Sequence, residues 1–270
     1  MNKTFTIRSV FTIVIASLFI GFAGVALVLS VSTALFPETD SRLLTILSVF
    51  IGQGIIVLPV FAIVYLKNKS FTHSFRLKPI PINSVFPIVI LSLGTIILSD
   101  EVDRLIGIVL PRPDYIEKLA ELFQFDSPLY ALLLIVATVL IAPLSEEVLF
   151  RGFLQQFLEV HWKDVTKAVL ITSLFFAAVH MNPGWIIQIY LLGIILGYLA
   201  WRTGSIFPGL ILHSLNNGLA LIMENIQAPW FNYYTWKNHV SPLFLLIAVF
   251  LIYRGYKTIN SSFVGTMVKQ

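Results

Sequence analysis

The sequence predicts an all-α membrane protein, a polytopic bundle of about eight transmembrane helices, and three observations carry that prediction. The 270 residues are 57% hydrophobic and only 12% charged, with a mean hydropathy of +0.87, whereas a soluble domain carries about 25% charged residues. The apolar residues gather in runs close to the roughly 20 residues that a helix needs to cross the hydrocarbon core. The basic residues sit between those runs, where topology signals belong, and do not cluster on one amphipathic face. A net charge of +4 therefore implies no nucleic-acid partner; the partner it implies is the lipid bilayer.

The first apolar run, about 9–36, follows Lys3 and Arg8 and superficially resembles a signal peptide. It is well beyond the ~7–15 residues of a signal h-region and reads as the first membrane helix. Runs at 43–66 and 82–99 come next, then one at 128–160 that is too long for a single crossing at about 1.5 Å per residue, so it must project or tilt. Runs at 165–181, 184–201, 204–223 and 239–257 complete the eight. With the N-terminus inside, the inner segments carry twelve Lys and Arg and the outer ones five, Arg151 within a span completing the total of 18. That asymmetry predicts a multi-pass protein with both termini cytoplasmic; the membrane expected for it is a bacterial plasma membrane. Between the third and fourth spans, Pro111 and Pro113 lead into Asp114, with Glu117 three residues on, a box-like start for an amphipathic helix lying at the membrane surface. The chain divides into N-terminal helices with this surface segment (1–127), a polar-bearing core (128–222) and a C-terminal helix and tail (223–270). There is no cysteine, which removes disulfides, thiolate zinc sites and cysteine nucleophiles.

Function is signalled by polar residues inside the spans. The fourth run contains Pro143-Leu144-Ser145-Glu146-Glu147, followed by Arg151. Each charge in a membrane helix costs roughly 2.5–3.5 kcal/mol on insertion scales, and such residues normally face a bundle interior or a water-filled cavity. Glu147 and Arg151, at i and i+4, share a helix face in the favourable order for an ion pair. Glu146 lies about 100° around the helix, free to act as the reactive carboxylate. Pro143 loosens the backbone one turn earlier. Phe176 and His180 end the fifth run, and His213 and Asn217 share a face of the seventh. Counted from the flanking basic residues, Glu146, His180, His213 and Asn217 reach comparable depths. A lone pair of charges packs helices; two His, a spare Glu and an Asn converging from separate spans point to chemistry. A carboxylate and an imidazole can deprotonate a water, and an imidazole and an amide can donate to an oxyanion. Equally, Glu146, His180 and His213 could hold a zinc ion with an open water position, although no HExxH helix is present. His73, His161 and His239 read as loop or span-end residues. Gly193 and Gly197, a GxxxG, read as a close helix contact, and Trp201-Arg202 as an interfacial anchor.

Glu146-Glu147-x-x-x-Arg151, Phe176-x-x-x-His180 and His213-x-x-x-Asn217, in that order, resemble the three signature motifs of the CPBP (CAAX protease and bacteriocin-processing, or Abi) family of intramembrane proteases. The resemblance covers roughly residues 128–222. It implies endopeptidase activity on a membrane-associated protein or peptide, with Glu146 and His180 activating water. It also implies His213 and Asn217 at the oxyanion and Glu147 with Arg151 in support. It leaves open whether no cofactor or a divalent metal such as zinc is used. The family name says metalloprotease, while its eukaryotic relatives look like glutamate proteases; bacterial members are linked to bacteriocin immunity. Two other readings keep the same residues, a non-catalytic membrane immunity or scaffold protein and an ion-coupled transporter. The latter would bring inverted repeats or paired broken helices, which the sequence does not display.

Overall fold

The computed structural model describes residues 5–110, 121–226, 229 and 231–263. A helix stands in each of the eight expected runs: α1 (Ile7–Leu35), α2 (Ser41–Leu66), α3 (Ile82–Val109), α4 (Pro128–Trp162), α5 (Val165–Ala178), α6 (Ile186–Thr203), α7 (Phe207–Asn225) and α8 (Pro242–Ser262). The chain is an all-α integral membrane protein. The surface helix expected to begin at Asp114 lies outside the described residues.

Six of the eight helices, all but α5 and α7, are long and apolar enough to cross a membrane. That count is lower than the eight spans read from the sequence, for two physical reasons. Helix α5 has 14 residues, about 21 Å at the α-helical rise, short of a hydrocarbon core of about 30 Å. Helix α7 has 19 residues, but His213, Ser214, Asn216 and Asn217 dilute its apolar character. These two short or polar helices are the ones that bring His180 and His213 to the site.

Helix ends are set locally. Asp40 accepts from the Arg42 backbone at the start of α2, and Ser127 from the Tyr130 backbone ahead of Pro128 in α4. Lys163, with φ 54°, closes α4, and Asp164 at once caps α5 by accepting from Lys167 N at 2.9 Å. Gly204, also left-handed at φ 64°, turns α6 into α7. Helix α4 has 35 residues and is not uniformly α-helical: Ile135–Ile141 and Glu147–Gln155 are π-helical. Such wider turns are rare and concentrate at functional sites.

Helix α4 runs through the middle of the fold. Phe150, Phe153, Leu154 and Phe157 are fully buried and pack with Phe75, Phe176 and Leu196 in one core. At the rim, α3 and α8 lie so close that a Cβ on Gly94 would stand 2.6 Å from Ala248 O, and one on Gly255 2.8 Å from Pro87 O. The α2–α3 connection does not stay at the surface: Phe75 and Arg76 are buried against α4. A short antiparallel hairpin, Thr235–Trp236 with His239–Val240, precedes α8 and docks on α3 through Glu101, which accepts from Val240 N and meets His239 Nδ1. Outward-facing residues such as Phe19, Leu66 and Leu246 present the apolar surface that lipid requires. Arg202 departs from the expected interfacial anchor. It is 4% exposed and donates to Phe263 O and Asn260, closing the end of α8.

Candidate active site

The second π-helical stretch of α4 begins at Glu147. Arg151 Nη1 stands 3.0 Å from Glu147 Oε1, with both side chains at zero exposure. The guanidinium is also sandwiched: its carbon lies 4.0 Å from the centre of the Phe176 ring, and Nη2 reaches Gly193 O on α6 at 3.4 Å. One cation is thus held by a carboxylate, a ring face and a carbonyl, as a charge away from water must be. Glu146 is outside this pairing. Its side chain keeps 14% exposure; its Oε2, like Glu147 Oε2, is buried with no hydrogen-bond partner among the described residues.

His213 lies between the two glutamates, Nδ1 3.3 Å from Glu147 Oε1 and Nε2 3.7 Å from Glu146 Oε2. Phe176 is the hub. Its ring meets Phe150, His180 and His213 in T-shaped contacts with centroids 5.3, 4.9 and 5.7 Å away, while Arg151 covers its face. His180 Nδ1 lies 2.7 Å from Phe176 O. A carbonyl only accepts, so Nδ1 carries the proton, and in the neutral ring Nε2 is left with its lone pair. Glu146, Glu147, Arg151 and His213 are therefore in direct contact, and His180 joins them through Phe176.

Asn217, one turn beyond His213, is tied elsewhere. Its amide Nδ2 donates to Thr138 O at 2.9 Å. In this part of α4 the ladder runs i→i+5, with Ala142 N donating to Ala137 O. The next donor would be Pro143, which has no N–H. Asn217 takes up the carbonyl that Pro143 leaves without its ladder partner, and so fixes α7 against α4 just ahead of Glu146. The second amide proton of Nδ2 remains for another acceptor.

Residues 128–219, 92 of the chain's 270, match the family described as "Rce1-like: Type II CAAX prenyl endopeptidase Rce1-like". The matched segment spans all six residues just described. Over these residues the chain is similar to that family. No curated protein and no solved structure matches the chain.

Among the described residues, no group of three or more His, Asp or Glu side chains is placed to hold a metal ion. The conditional set Glu146, His180 and His213 is not assembled: Glu146 and His213 face each other, whereas His180 reaches them only through the Phe176 ring. As arranged, these residues do not fit a zinc site.

Sequence reasoning gave no role to Phe176 beyond its place in the motif, nor any to Gly209. A Cβ on Gly209 would stand 2.7 Å from Glu147 Oε2, so only glycine leaves space for that carboxylate. The signal was present: Gly209, His213 and Asn217 are spaced i, i+4, i+8 and share one face of α7. Gly209→Ala should force the Glu147 carboxylate out of line with Arg151 and His213. The expected result is a loss of at least about tenfold in kcat, with a lowered thermal midpoint, since overpacking costs typically 1–3 kcal/mol. Wild-type activity in a Gly209→Ala protein would show that the Glu147 position is not needed. The GxxxG of α6 is a close contact as expected, a Gly193 Cβ falling 3.0 Å from Ser173 Cβ, and it also opens two backbone carbonyls to α4.

Proposed function

We propose that the chain is an intramembrane endopeptidase that hydrolyses a peptide bond of a membrane-associated protein or peptide, using a water activated by Glu146 and His180. The observation that carries this reading is the unequal treatment of two adjacent carboxylates: Glu147 is fully buried and paired with Arg151 at 3.0 Å, while Glu146 lies outside that pair, keeps 14% exposure and faces His213. Glu146 accepts a proton from water, and the hydroxide oxygen bonds to the scissile carbonyl carbon. The carbonyl π electrons move onto its oxygen. His213 and the free amide proton of Asn217 donate to that oxyanion. Collapse re-forms the carbonyl and breaks the C–N bond, and the proton held by Glu146 passes to the departing amine. His180, its Nδ1–H fixed on Phe176 O, offers Nε2 to orient the water.

The family description supports a prenylated CAAX-type peptide as the first substrate to try. Purified protein in detergent is incubated with farnesylated and unmodified peptides of that type, and cleavage is read by mass spectrometry. Cleavage by the wild type and none by Glu146→Gln is expected. Equal cleavage by both proteins would sink the assignment, and no cleavage of any membrane-associated peptide by the wild type would sink the activity itself.

We also place both termini on the cytoplasmic face of the membrane, on the strength of the Lys and Arg asymmetry. A reporter fused after Gln270 should read as inside, and one inserted near Asp114 as outside. Opposite readings at both positions would invert the topology.

A further inference from the structure

Glu147 and Arg151 begin a line of buried polar side chains on α4 that continues, four residues at a time, through Gln155 and Glu159. Gln155 is at zero exposure and Glu159 at 8%. Gln155 Nε2 donates to Gly197 O at 2.8 Å and to Glu159 Oε1 at 2.8 Å. Both partners only accept, which fixes the amide orientation. Glu159 in turn is gripped two-pronged by Arg76, which is 5% exposed. Arg76 does not float: it adopts φ 52°, its carbonyl accepts from Ile206 N at 3.1 Å, and the neighbouring Phe75 backbone lies against Gly152 of α4, where a Cβ would stand 2.7 Å from Phe75 O. Gln156 Nε2 also donates to His73 O at 3.0 Å.

Two hydrogen bonds set how α4 is turned toward α6, and they are unequal. Arg151 reaches Gly193 O at 3.4 Å, beyond the usual range for an N–H···O bond, whereas Gln155 reaches Gly197 O, one turn on, at 2.8 Å. The shorter one is the clamp. Its amide is aimed by Glu159, whose charge is balanced by Arg76 from the α2–α3 connection. A charge removed from water that lost its partner would be costly, so the three residues act as a unit.

We propose that Arg76, Glu159 and Gln155 are positioning residues for the hydrolysis: they set the rotation of α4 against α6 and thereby hold Arg151 and Glu147 in place for Glu146. The inference rests on the proposed endopeptidase reading for its catalytic consequence, but its structural half can be read without turnover. Single charge removals would strand the partner and could prevent folding. The informative protein is Arg76→Met with Glu159→Met, which removes both charges and refills the space, an exchange that is often neutral or stabilising. Gln155→Leu is its companion.

Hydrogen exchange of residues 147–155 and the kcat and KM for a cleavable peptide are measured on folded, monodisperse protein. Both variants are expected to exchange faster at 147–155 than the wild type, and to lose about tenfold or more in kcat at unchanged KM, with the triple variant no worse than either. A purely structural pair would leave both readouts at wild-type values in the double-Met protein, and that result overturns the proposal. A wild type that cleaves nothing speaks against the endopeptidase reading alone. The exchange data still decide whether the buried line holds α4, and unchanged exchange would overturn it.

Discussion

Glu146→Gln should insert and fold as the wild type does and lose turnover by about 10²–10⁴-fold, the range that a positioned general base supplies. The amide preserves the size of the side chain and keeps an oxygen toward His213, so packing is not disturbed. Among the described residues Glu146 has no ion-pair partner other than His213, at 3.7 Å, and Arg151 is already matched by Glu147; removing this carboxylate strands no cation among them. What disappears is the group that can take a proton from water. Size-exclusion profile and thermal midpoint in detergent check the first half, and single-turnover cleavage the second. Full activity in Glu146→Gln would transfer the base to another residue.

Glu147→Gln should behave in the opposite order, losing stability first. Arg151 has zero exposure and would lose its ion-paired carboxylate, keeping a neutral amide oxygen, a ring face and a 3.4 Å contact to Gly193 O. Breaking a buried pair by removing one partner costs about 3–5 kcal/mol, because the surviving charge stays out of water. His213 would lose the nearer of its two carboxylates as well. The expected result is a sharply lowered thermal midpoint and poor yield, with activity lost in whatever remains folded. A stable, correctly assembled Glu147→Gln protein that is catalytically inert would reverse the roles assigned to the two glutamates.

The eight helical runs and their polar exceptions were legible because lipid imposes length and apolarity strictly, and because i, i+4 spacing alone predicts the Glu147–Arg151 pair. Helices α5 and α7 were legible as helices but not as weaker spans, since a fourteen-residue helix that stops two residues short of His180 looks continuous with the turn that follows. The π-helical stretches were not legible: a change from i→i+4 to i→i+5 bonding leaves no mark on composition, and Pro143 hinted only at a loosened backbone. Arg76 was hidden for a related reason. It sits in a connection whose basic residues read naturally as topology signals, and nothing in the sequence says that one of them turns inward to Glu159. For Asn217, spacing showed the face it shares with His213 but not the carbonyl at Thr138 that holds it.

The order in which the buried charges leave the ribosome bears on how the protein enters the membrane. Arg151 emerges four residues after Glu147, so their neutralisation needs nothing outside α4 itself. Arg76 precedes Glu159 by 83 residues and is already waiting when α4 is made. At roughly 2.5–3.5 kcal/mol for each uncompensated charge, a nascent α4 that had to await α6 or α7 for its counterions would be a poor candidate for insertion. Because chains assemble from the N-terminus during synthesis, both ion pairs can close before α5 exists. Glu146 differs: its charged neighbour, His213, lies on α7, so this carboxylate enters the bilayer before the group it faces has been made.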